Sequence, residues 1–201
     1  EKGEVLTGSI LGALIIQKVL TQNPGATILY NAITSKVVSD TINKMGGKGI
    51  RTKVGHSFIK AEMKKHDAVF ACEHSGHFYF NSNYNADSGL IATLTALGII
   101  SESTATLSQL CESLRNKYFN SGEINFHIKN TKQAMDAVSQ SCSDGKQDQL
   151  DGLTITYPGW WLNIRPSNTE PLLRLNVESS DKAVLKAQLK KVEKILKEYI
   201  D

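Results

Sequence analysis

The feature that most limits what this chain can fold into is an alternation of short apolar runs with segments of helical period, from residue 7 to residue 118. Residues 7–20 place Ile10, Leu11, Leu14, Ile15 and Val19 near the helical repeat, and Asn23-Pro24-Gly25 stops the pattern. Residues 26–30 are a short apolar run that reads as a buried strand. Helix is expected again over 34–45, ended by Gly46-Gly47, then strand over 50–54, helix over 56–65 and strand over 68–71. A loop over 72–85 and helices over 86–97 and 107–118 complete this part. Strands separated by helices with short connections need crossover links, so the expectation is a doubly wound α/β unit with a mixed-to-parallel sheet. Ligands of such sheets sit beyond the carboxyl ends of strands, where the 72–85 loop falls.

The order changes after Asn120-Ser121-Gly122. Residues 123–128 alternate like a strand, 131–141 are helical, and 145–148 read as polar loop. Three strands follow over 153–157, 160–164 and 172–177, the first two joined at Pro158-Gly159 by a hairpin signal. Residues 181–200 form an amphipathic helix. Neighbouring strands with helices at both ends imply a smaller α+β domain with an antiparallel sheet. The expected domains are therefore 1–119 and 120–201. Residue 1 is not Met and no cap precedes the first helix, as though the chain began at a linker.

At 40% apolar and 21% charged residues, the chain has the profile of a globular protein with a real core. The net charge of +3 is dispersed. Its densest basic stretch, 182–197, interleaves Lys with Leu and Val and has no aromatic, which fits a solvated helix face and no nucleic-acid partner. Cys72, Cys111 and Cys142 are odd in number and far apart, which argues against a disulfide framework and for a reducing, cytoplasmic setting. The apolar run 10–16 is too short to span a bilayer, and the polar start is unlike a signal peptide, so no membrane partner is expected.

Three segments carry chemistry. Glu73-His74-Ser75-Gly76-His77 packs a carboxylate, a hydroxyl and two imidazoles beside a glycine. Glu73 and Ser75 suit vicinal sugar hydroxyls, but the segment equally suits a polar turn whose Ser and His bond their own backbone, or a zinc site of Glu73, His74 and His77. Arg165-Pro166-Ser167-Asn168-Thr169-Glu170-Pro171 offers a guanidinium fork, hydroxyls and amides to a phosphate, or else a plain hairpin loop. Arg174 reads as a residue of the exposed sheet face. Val54-Gly55-His56-Ser57 stands at a strand-to-helix junction, where an anion can bind or where His56 or Ser57 can simply cap the helix.

Taken together, in this order, these segments resemble the α-D-phosphohexomutases, from residue 1 to residue 178. Glu73–His77 is similar to the sugar-recognition loop G-E-x-S-G-H, and 165–171 to the phosphate loop R-P-S-[GN]-T-E-P. Asp67-Ala68-Val69-Phe70 and Ala86-Asp87-Ser88-Gly89 have the look of the bacterial phosphomannomutase/phosphoglucomutase branch. The resemblance implies the third and fourth of four domains. It implies an isomerase of carbohydrate metabolism that moves a phosphoryl group through a phosphoserine and a hexose bisphosphate activator. Glu73 and Ser75 would hold the sugar of a phosphosugar substrate; Arg165, Ser167, Asn168 and Thr169 would hold its phosphate; His77 and His56 would transfer protons or touch phosphate.

The family's phosphoserine segment, T-A-S-H-N-P, and its magnesium segment, D-G-D-x-D-R, do not occur here. The phosphoserine and Mg2+ would therefore belong to an N-terminal half of the same chain, with no metal residue in these 201 and no activity from them alone. Cys72 replaces the usual glycine before Glu73, Asn168 stands where Gly is common, and Ile33 stands where many members have Lys or Arg, with Lys36 nearby. Two further readings stay open, a phosphoglucosamine mutase and a non-catalytic phosphosugar-binding module.

Overall fold

The computed structural model describes residues 1–167, 170 and 172–200, in two compact units, Glu1–Lys117 and Tyr118–Asp201. In the first, α1 (Gly8–Gln22) is followed by β1 (Thr27–Asn31), α2 (Lys36–Lys44), β2 (Lys48–Thr52), α3 (His56–His66), β3 (Phe70–Cys72), β4 (Phe78–Phe80), β5 (Ala86–Asp87), α4 (Gly89–Ser101) and α5 (Leu107–Arg115). The sheet runs β2-β1-β3-β4-β5. β1 pairs in parallel with β2 and β3, while β4 and β5 are added antiparallel. This is the mixed sheet expected of the alternating pattern.

Two expectations need correction here. α1 does have a cap: Thr7 accepts from the Ile10 amide at 3.3 Å. The 72–85 segment is also no simple loop. Phe78, Tyr79 and Phe80 are all buried in β4, and a turn through Tyr84 and Asn85, both at positive φ, leads into β5. Helix α4 starts only at Gly89, capped by the Ser88 hydroxyl. The core of this unit gathers Ile15 and Ile16 of α1, Ile28 and Leu29 of β1, Ile59 and Met63 of α3, and Phe70 and Ala71 of β3.

The second unit contains β6 (Phe119–Asn120), β7 (Ile124–His127), α6 (Thr131–Ser141), β8 (Lys146–Asp148), β9 (Leu153–Tyr157), β10 (Trp160–Pro166), β11 (Leu172–Ser179) and α7 (Lys182–Lys197). Its sheet runs β6-β11-β10-β9-β8, with β7 also on β11, and every pairing is antiparallel. The expected polar loop at 145–148 is in fact the edge strand β8, a place where polar residues are favoured because they discourage further pairing. Gly159, at φ +86°, turns the β9–β10 hairpin, and the Tyr157 and Trp160 rings stack across it at 4.4 Å. Ala134 and Val138 of α6 and Leu185, Val192 and Leu196 of α7 share one core with Ile155, Leu162, Ile164, Leu175 and Val177. Among the described residues, no helix is long and apolar enough to cross a membrane.

Candidate functional site

Glu73 follows directly on β3, and its position is fixed from three sides. It is 2% exposed; Oε1 accepts from the Tyr79 phenol at 2.6 Å, and Oε2 accepts from Asn31 Nδ2 at 3.0 Å and the Gly55 amide at 3.4 Å. Asn31 ends β1 and is itself held by the Thr34 hydroxyl at 2.6 Å. The loop closes where the Glu73 amide donates to the His77 carbonyl at 2.9 Å, with Gly76 at φ +90°. The sequence places Glu73 in a polar loop; the structure buries it, because the strands on both sides supply donors for both oxygens. A carboxylate has about four lone-pair positions, so capacity remains for a ligand. Ser75 stays exposed at the tip of the loop.

His56 and His77 come together. Their ring centroids are 4.4 Å apart, and the His56 ring also meets Tyr79 edge-on at 5.6 Å. Gly55 is the N-cap of α3, at φ +128° and with no side-chain cap bond, so neither His56 nor Ser57 caps this helix. Both imidazoles face a residue to which sequence reasoning gives no role, Asp87. Its Oδ2 lies 2.9 Å from His77 Nδ1, and its Oδ1 lies 3.6 Å from His56 Nδ1. The signal available was only its place in the Ala86–Gly89 segment.

Burial first, and then the bond to Glu73 and its charge, push the Tyr79 phenol well above its ordinary value, so it remains a donor. Burial likewise pushes the Cys72 thiol up to about 12, with the Glu73 charge adding to it. Cys72 is accommodated by α1, since a Cβ on Gly12 would lie 3.0 Å from its sulfur. Ile33 is buried at 2% exposure, and Lys36 is ion-paired with Asp40 on its own helix.

In the second unit, Arg165 belongs to β10 rather than to the loop, and it is 6% exposed. The strand register sets it opposite Arg174 of β11. One Glu123 carboxylate bridges the two, at 3.0 Å from Arg165 Nη2 and 3.2 Å from Arg174 Nη1. Arg174 therefore does not stand on an exposed sheet face as the sequence suggests. It also donates to the Ser167 hydroxyl at 3.2 Å and lies 3.8 Å from Glu170. The Nε of each arginine is buried without a partner among the described residues. Asn168 and Thr169 lie outside the described residues. An open pocket of about 360 Å3 is lined by Arg165 and Pro166 together with Asp136 and Asp151.

Magnesium, implied by the family resemblance, does not fit the ligands at hand. Among the described residues, the cluster of three potential metal ligands is His56, His77 and Asp87, and Mg2+ prefers an all-oxygen octahedron.

Comparisons with known proteins give each of the two units a family. Residues 7–118 match "Phosphoglucomutase/phosphomannomutase, alpha/beta/alpha domain III", and residues 123–195 match the C-terminal domain of the same family. A phosphomannomutase of Methanocaldococcus jannaschii is 41% identical over 98% of this chain and 43% of its own length. One of Escherichia coli is 36% identical over 89% of this chain and 40% of its own length. A solved phosphoglucomutase/phosphomannomutase family protein of Burkholderia thailandensis superposes with a TM-score of 0.85 at 29% identity, over 97% of this chain and 42% of that one. The chain thus spans less than half the length of the relatives it matches. It belongs to the phosphoglucomutase/phosphomannomutase family, of which it carries the third and C-terminal domains.

Proposed function

We propose that this chain is the substrate-binding half of a cytoplasmic phosphohexomutase that interconverts the 1- and 6-phosphates of mannose, glucose or both. The observation that carries the reading is the buried Glu73 carboxylate, fixed by Tyr79 and Asn31 beside Ser75 and the paired imidazoles of His77 and His56. A pre-oriented carboxylate next to a free hydroxyl recognises neighbouring hydroxyls, which both orientations of a hexose phosphate share. His77 and His56 then move protons at the reacting oxygens. Arg165 and Ser167, with Asn168, Thr169 and Arg174, hold the phosphate that is not being transferred. Phosphoryl transfer is mostly positioning and charge stabilisation, and these residues do the positioning.

The phosphoryl carrier and the magnesium belong, in this reading, to a preceding half of the same protein, and a hexose bisphosphate is the intermediate that turns around. The division into domains 1–119 and 120–201 is part of the proposal; limited proteolysis should cut first between residues 117 and 122. The test of function is a coupled assay with mannose 1-phosphate or glucose 1-phosphate, magnesium and a bisphosphate activator. The full-length protein should turn over, and Glu73→Ala within it should lose most of the rate. The 201-residue chain alone should be silent. Turnover by the chain alone would contradict the division of labour; no turnover of either sugar by the full-length protein would contradict the mutase reading.

A further inference from the structure

His56 begins α3, His77 precedes β4 and Asp87 lies in β5, yet one ligand atom of each lies within 4.8 Å of the other two. We propose that these three side chains form a binding site for a divalent transition ion of the zinc class, with a fourth position open to water or a ligand oxygen. Two imidazoles and one carboxylate are a donor set that suits zinc and leaves magnesium poorly served. Ligand atoms around a tetrahedral zinc stand roughly 3.3 Å apart, given metal–ligand bonds of about 2.0–2.1 Å. The two Asp87 oxygens lie near that spacing, Oδ2 at 2.9 Å from His77 Nδ1 and Oδ1 at 3.6 Å from His56 Nδ1, so that modest side-chain rotations bring one oxygen and both imidazoles around an ion. The ion would take the place of the direct contact between His77 Nδ1 and Asp87 Oδ2.

The backbones behind the three ligands are already fixed. The β4–β5 register sets Asp87 beside Tyr79, whose ring backs His56, and the Glu73–His77 backbone bond pins the loop. The side chains of His56, His77 and Asp87 are 52%, 43% and 35% exposed, which leaves an ion a path from solvent and the rings room to adjust. Glu73, which receives the Gly55 amide, adds negative charge behind the site. Metal binding here stands independently of the mutase reading. If that reading holds, an ion at this place ties up both imidazoles and inhibits proton transfer.

The experiment titrates the untagged, chelator-stripped 201-residue chain with ZnCl2 by calorimetry and with CoCl2 by visible absorption, at pH about 7.5. One equivalent of zinc should bind with micromolar or tighter affinity, and cobalt should give the intense bands of a four- or five-coordinate ion. His77→Ala and Asp87→Asn should each weaken zinc at least about tenfold, with thermal melts showing that each variant is folded; His56→Ala serves if either fails to fold. His66→Ala, which removes the separate His66–Glu62 pair, should leave the titration unchanged, and excess MgCl2 should not displace the ion. Zinc binding that is absent at micromolar concentration, survives loss of the ligands, or disappears with His66→Ala would overturn the proposal.

Discussion

Tyr79 and Glu73 are bound to each other across the β3–β4 hairpin, the phenol donating at 2.6 Å to a carboxylate that is almost wholly buried. Removing the hydroxyl by Tyr79→Phe leaves that oxygen short of a donor, which costs about 1–3 kcal/mol. The urea midpoint should fall accordingly with an unchanged slope. An unchanged midpoint would show that water replaces the phenol and that Glu73 does not depend on it.

That pair also shows where the sequence stopped being legible. The alternating elements of both units follow from periodicity and turn residues, and the two motif loops were visible as runs of polar chemistry. Phe78-Tyr79-Phe80 is only three residues long and comes straight after the polar Glu73–His77 run, too short for its period to speak, so β4 reads as loop. With β4 unseen, Tyr79 and Asp87 have no place near Glu73 and the imidazoles. Arg174 and Glu123 were hidden for another reason. Their link to Arg165 is created by the pairing of β11 with both β10 and β7, and nothing local in the sequence records a register.

Gly8 is the first residue of α1, where alanine would ordinarily favour the helix. A Cβ there would lie 2.5 Å from the Gly76 amide nitrogen and 2.7 Å from the His74 carbonyl, both backbone atoms that cannot swing aside. Gly8→Ala should cost about 1–3 kcal/mol and shift the amide resonances of residues 74–77. Gly89→Ala, at the start of α4 with nothing within 4 Å, is the control and should be neutral or stabilising by up to about 1 kcal/mol. Equal effects at the two sites would mean that α1 does not brace the loop.

Arg165→Ala combines two losses. As a residue of a loop, which is how 165–171 reads in the sequence, Arg165 would add little to stability. The buried ion pair with Glu123 instead implies a loss of about 1–3 kcal/mol in stability along with weaker phosphate binding. Glu123→Gln should act in the opposite sense on phosphate, because the internal carboxylate competes for the same two guanidinium groups. Calorimetry with inorganic phosphate should show several-fold tighter binding for that variant. Weaker binding would make Glu123 an organiser of the arginines rather than a competitor.

Cys72 gives a pH dependence whose sign is fixed by burial. Its pKa in the folded chain is raised to about 12 from an ordinary value of 9.0, so the unfolded chain loses this proton first as pH rises. The associated stability is fully present below pH 9.0 and is lost progressively between there and about 12. Urea melts should show falling stability over that window, and a disulfide reagent should leave the native thiol unmodified at neutral pH. Cys72→Ala should flatten the alkaline slope even though it loses some packing against Gly12. A slope unaffected by that change would assign it to the buried tyrosines instead.

The central claim is that these 201 residues contain the surfaces that recognise the sugar and the phosphate of a hexose phosphate. The most direct measurement is a heteronuclear NMR titration of the chain with mannose 1-phosphate, with inorganic phosphate as the companion ligand. Both ligands should shift the amides of Arg165, Ser167 and Arg174, and only the sugar phosphate should also shift residues 73–77 and His56. Shifts confined to other parts of the chain, or a pattern for mannose 1-phosphate identical to that for phosphate, would contradict the account.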